Sequence, residues 1–61
     1  MKIGFNLTNA TYERISHFEK VVSTYGKITD RLRNKGQIHF TLEFETIDRE
    51  AEFQQAAKIF K

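Results

Sequence analysis

The sequence predicts an α+β domain of element order β-α-β-β-α, and three observations carry that prediction. Residues 37–46 alternate without a break, with Ile38, Phe40, Leu42 and Phe44 on one face and Gln37, His39, Thr41, Glu43 and Glu45 on the other. A period of two is the signature of a half-buried strand. Residues 11–25 instead repeat apolar side chains at three- and four-residue steps, the period of a helix. Asn34, Lys35 and Gly36 sit between two alternating segments, where a hairpin turn belongs.

In chain order, residues 2–7 form the first strand, with Ile3, Phe5 and Leu7 inward and Lys2, Gly4 and Asn6 outward. Residues 8–11 are rich in capping types, so Asn9 or Thr11 starts the next element, although neither opens a Ser/Thr-x-x-Glu box. In the first helix Tyr12, Ile15, Phe18, Val22 and Tyr25 make the apolar stripe and Val21 widens it. Glu13, Ser16, His17, Lys20 and Thr24 lie opposite. Gly26 stands where helices stop, and a left-handed glycine is the expected terminator.

Residues 27–33 form a weaker strand. Ile28, Asp30 and Leu32 share its inward side, and Thr29, Arg31 and Arg33 face the other way. An inward acid suits an edge strand, where it discourages pairing with other chains. A three-residue turn, Asn34-Lys35-Gly36, closed by a glycine bulge, then sets the register. It puts Arg33 opposite Gln37, Leu32 opposite Ile38, Arg31 opposite His39, Asp30 opposite Phe40 and Ile28 opposite Leu42. Asp48 is the expected cap of a second helix that runs to the C-terminus, with Glu50 and Glu52 early and Lys58 and Lys61 late, as the helix dipole favours. Phe53, Ala56, Ala57 and Phe60 form its stripe; Ile59 and Ile47 lie outside it and are candidate surface residues.

A right-handed crossover puts the first two strands in one sheet with the helix on one face. The third strand fits between them. The result is a three-stranded antiparallel sheet of order 1-3-2 with both helices on one side, a ferredoxin-like arrangement lacking its last strand. That strand would have lain beside the first. The outer edge of residues 2–7 is therefore open, with no proline and one charge, Lys2. Such an edge pairs readily with another chain. Lys2, Gly4 and Asn6 are the expected dimer edge.

At 61 residues the chain is one domain. Domains this small bury only about 60% of their unfolded surface, and a partner subunit is a natural supplement. Cysteine is absent, which excludes disulfides and thiolate metal sites. No apolar run reaches the length of a membrane span and no basic-then-apolar leader is present, so a cytoplasmic protein without a membrane partner is expected. The formal charge of +2 is uneven. Lys27, Arg31, Arg33 and Lys35 against Asp30 leave residues 27–36 at +3, while residues 37–61 sum to −2.

The candidate binding residues follow from that segment. Arg31, Arg33 and His39 are expected to share the open sheet face with Gln37 and Thr41, and Lys27 and Lys35 lie nearby. A basic sheet face can hold phosphates. His17 belongs to the polar side of the first helix and His39 to the open sheet face, so the two histidines do not meet and no metal site is expected. Glu43 and Glu45 read as a solvated charged strand. With no glycine-rich phosphate loop and little room for a pocket, neither a catalytic residue nor a cofactor is expected.

Several segments resemble the RNA recognition motif family. Residues Lys2-Ile3-Gly4-Phe5-Asn6-Leu7 are similar to its first strand, and Tyr25-Gly26-Lys27-Ile28 to its helix end. Lys35-Gly36-Gln37-Ile38-His39-Phe40 is similar to the start of its aromatic strand, and Glu50-Ala51-Glu52 to its second helix. The resemblance implies the same fold. The family stacks bases on open-face aromatic residues; here those positions hold Gly4, Asn6, Gln37, His39 and Thr41, while Phe5, Phe40 and Phe44 point to the helix side.

The function expected from these features is that of a small non-enzymatic interaction protein, a homodimer that binds another protein. In size and class it resembles the inhibitors and adaptors that phages and mobile elements direct against host or defence proteins. The alternative is a nucleic-acid binder using Lys27, Arg31, Arg33 and Lys35.

Overall fold

The alternating row of residues 38, 40, 42 and 44 becomes the floor of the core. A computed structural model describes residues 1–60, and its elements are β1 (Lys2–Leu7), α1 (Tyr12–Tyr25), β2 (Lys27–Asn34), β3 (Gln37–Glu43) and α2 (Ile47–Ala56), the last continued by a 3-10 turn, Ala57–Phe60. The sheet order is β1-β3-β2, with β3 antiparallel to both neighbours. This is the α+β, truncated ferredoxin-like architecture that the sequence predicts. Lys61, expected late in the second helix, lies outside the described residues.

Ile38, Phe40, Leu42 and Phe44 are buried together with Phe5 and Leu7 of β1, Phe18 and Val22 of α1, and Phe53, Ala57 and Phe60. Both helices lay their apolar stripes on this face. Tyr12, expected at the margin of the stripe, is 92% exposed: it is the first residue of α1 and lies with Glu13, Ser16, His17 and Lys20 on the polar side of the helix. Ile47 and Ile59 are exposed as expected. No helix among the described residues is long and apolar enough to cross a membrane.

The caps are threonines. Thr11 Oγ1 accepts from the Arg14 N–H at 3.3 Å, and Thr46 Oγ1 accepts from the Arg49 N–H at 3.2 Å. Thr46 therefore replaces Asp48 as the start of α2. Asp48 falls inside the first turn, where its charge still favours the dipole. β3 ends at Glu43, short of the expected Thr46, because the chain must bend at residues 45–46 to enter α2.

Gly26 ends α1 for a different reason from the one expected. Its φ of −165° is extended, not left-handed. What it supplies is space: a Cβ there would lie 2.4 Å from the Glu43 carbonyl oxygen and 2.6 Å from a Phe44 ring carbon.

The hairpin is the largest correction. Lys35 (φ 42°) and Gly36 (φ 80°) form a two-residue turn with both φ values positive, and Asn34 pairs with Gln37. Positive φ at both central positions is the type I′ requirement, and its twist matches that of the flanking strands. The turn is one residue shorter than expected, so the register slips by one. Leu32 faces His39, Arg31 faces Phe40, Arg33 faces Ile38 and Asp30 faces Thr41. An irregularity between Ile28 and Asp30 takes up the extra residue and restores the expected Ile28–Leu42 pair.

Gly26→Ala is expected to cost about 1–3 kcal/mol, since the obstacle is backbone and cannot swing aside; urea unfolding checks this. Lys35→Asn is expected to add about 0.5–1 kcal/mol, because asparagine tolerates the left-handed conformation better than lysine. An unchanged midpoint for either variant would contradict the assigned role.

Candidate docking edge and open sheet face

The one-residue slip rearranges the proposed site. Arg31 and Arg33 pair with the inward residues Phe40 and Ile38, so both belong to the helix side of the sheet. Arg31 Nη2 lies 2.9 Å from Glu19 Oε2 on α1. The expected row of arginines beside His39 on the open face is therefore not formed. Asp30, expected inward, takes the open side with Leu32, which is 66% exposed beside His39. Lys27 is on the open side, and its Nζ lies 3.3 Å from Glu43 Oε1. Lys35 projects from the hairpin turn. Glu45 lies past the end of β3, so Glu43 and Glu45 do not form a strand pair.

The open face carries Gly4, Asn6, Gln37, His39 and Thr41 as expected. Asn6 Nδ2 donates to Gln37 Oε1 at 3.0 Å. His39 leans across β1: a Cβ built on Gly4 would lie 2.9 Å from His39 Nε2 and 3.1 Å from Cε1. Gly4 thus leaves the hollow that the imidazole occupies, a ring over a strand glycine. His17 sits in the other layer, with its ring 5.1 Å from that of Phe60. The two histidines are separated by the sheet, as expected. Among the described residues, no group of three or more His, Asp or Glu side chains is placed to hold a metal. A concavity of about 470 Å³ lies at the end of the sheet between Met1, Tyr25, Lys27, Glu43, Phe44 and Arg49. The Lys27–Glu43 ion pair lies in its lining.

The edge of β1 is defined by its ladder. The Phe44 N–H donates to Met1 O and the Met1 amino nitrogen donates to Phe44 O, both at 2.8 Å. In an antiparallel ladder such mutual pairs recur at every second residue. Ile3, Phe5 and Leu7 therefore bond to β3, while Lys2, Gly4 and Asn6 aim their amides and carbonyls away from it. Among the described residues, no hydrogen bond reaches those outward groups. The opposite edge, β2, is broken by its irregularity and carries Lys27, Asp30, Arg31 and Arg33.

One residue without a sequence signal ties the helix layer together. Arg14 Nε donates to Thr8 O at 3.2 Å, Nη2 donates to Phe60 O at 3.3 Å, and the guanidinium lies 5.7 Å from the centre of the Phe60 ring. Its partners are carbonyls brought together only by the fold. No family model, curated protein or solved structure matches this chain.

Arg14→Ala is expected to cost about 1–2 kcal/mol, the usual range for hydrogen bonds from a charged donor that is partly exposed. It should also speed amide exchange across residues 57–60. Arg14→Lys should restore little of the loss, because an ammonium cannot reproduce the guanidinium fork. Unchanged exchange in that segment would show that the guanidinium does not hold it.

Proposed function

We propose that this chain is a small non-enzymatic binding module that works as a homodimer, with the outer edge of β1 as its docking element. The observation that carries this is the contrast between the two sheet edges. β2 has the irregularity and the charges that discourage strand pairing, whereas β1 is regular, lacks proline and carries one charge. Edge-to-edge pairing would supply main-chain hydrogen bonds for Lys2, Gly4 and Asn6, and a second subunit is the usual supplement for a core this small. The joined open faces, with Leu32 exposed beside His39, then form the surface offered to a protein target. A module of this kind acts by occupying a partner's surface, as a small inhibitor or adaptor does.

The basic residues give the nucleic-acid alternative less support. They are divided between the two faces and the turn, and Arg31 and Lys27 each have an acidic partner. An oligonucleotide shift assay at low salt is expected to show no salt-sensitive binding.

The dimer is tested by sedimentation over a micromolar concentration series, with the natural chain and with a synthetic chain bearing an N-methyl group on the Gly4 amide. The methyl group removes an outward donor and leaves the β1–β3 ladder intact. The natural chain should dimerise, and the methylated chain should dimerise at least about tenfold more weakly, since the loss occurs twice across a two-fold axis. A natural chain that stays monomeric, or a methylated chain that dimerises equally well, would overturn the proposal.

A further inference from the structure

From the outward residues and their side chains we infer the register of that dimer: β1 pairs antiparallel with β1 of a second copy about a two-fold axis at Gly4. The inference rests on the homodimer reading and specifies its geometry. A two-fold axis normal to the sheet keeps both helix layers on one side, and each residue then faces a residue of the same parity. Only an axis at Gly4 uses all three outward residues of both strands, with Gly4 facing Gly4 and each Lys2 facing the other copy's Asn6. An axis at Ile3 leaves Asn6 unbonded, and an axis at Phe5 leaves Lys2 unbonded.

The side chains favour the same axis. On the helix side, Ile3 faces Phe5 of the other copy. Ile3 is only partly buried within one chain, so this contact adds apolar cover where some is missing. On the open side, no lysine opposes a lysine. The glycine pair at the axis leaves a shallow seam. Each His39 ring already lies over its own Gly4, so the two imidazoles close the seam from either side. At a formal charge of +2 per chain, the copies repel only weakly.

The chain contains no cysteine, so disulfide trapping has no background. Residues paired through mutual hydrogen bonds have Cα atoms about 5.5 Å apart, within the range a disulfide spans. Lys2→Cys and Asn6→Cys variants are made separately, mixed, and oxidised with a catalytic copper complex. Both positions are exposed, so neither substitution threatens the core. The mixture should yield a covalent dimer containing one copy of each variant, and neither variant alone should link to itself. Self-linking of one variant, or a mixture that fails to link while the natural chain sediments as a dimer, would overturn the register and leave the dimer standing. A natural chain that sediments as a monomer would overturn both.

Discussion

Everything in this small domain depends on the burial of one ring, Phe18. It is fully buried, with its centroid 4.7 Å from Phe40, 4.9 Å from Phe5, 5.3 Å from Phe60 and 6.0 Å from Phe53. It therefore joins α1 to two strands, to α2 and to the 3-10 turn. Phe44, 5.2 Å from Phe53, completes the cluster. Aromatic contacts of this kind add to the area they bury, and a core made of them is how a chain without cysteine holds two layers together. The cluster also dictates which face of the sheet stays open, and so which edge and which polar row are left for recognition.

Most of this was legible in the sequence, because period two and period three-to-four survive in the residues that face the core. The order of elements, the central place of β3 and the inward phenylalanines all follow from those periods. The misplaced features depend on one local choice. Asn34-Lys35-Gly36 suits a three-residue turn with a glycine bulge, and Lys35-Gly36 alone suits a type I′ turn only if lysine accepts a positive φ, as it does here. A single residue of turn length moves the side chains of β2 between the turn and the irregularity, Asp30 to Arg33, to the opposite face. Arg31 and Arg33 changed sides for that reason, and Leu32 emerged into solvent. The bulge that absorbs the difference near Thr29 leaves no mark in the apolar pattern. Gly26 shows a second kind of limit. Its position was evident, but its cause is the approach of Glu43 and Phe44 from a distant segment.

The rearrangement shifts functional weight within the sheet. The open face carries Lys27 and Lys2 with Glu43 and Asp30, so its charges are mixed, and its middle is a polar row of Asn6, Gln37, His39 and Thr41. His39, which invites a catalytic or metal role when seen alone, has a packing role over Gly4. The feature least explained by folding is the regular, uncovered edge of β1. A strand that exposes unpaired amides with a single charge and no bulge or proline is disfavoured as a permanent surface, and pairing is what relieves it.

Residue-resolved amide exchange at two protein concentrations tests that claim most directly. Ile3, Phe5 and Leu7 are expected to be protected at every concentration, because their amides bond to β3. Gly4 and Asn6 should exchange rapidly in dilute solution and become protected as the concentration rises. Gly4 and Asn6 amides that are protected at high dilution, or that exchange rapidly at every concentration, would contradict an open β1 edge filled by a second copy.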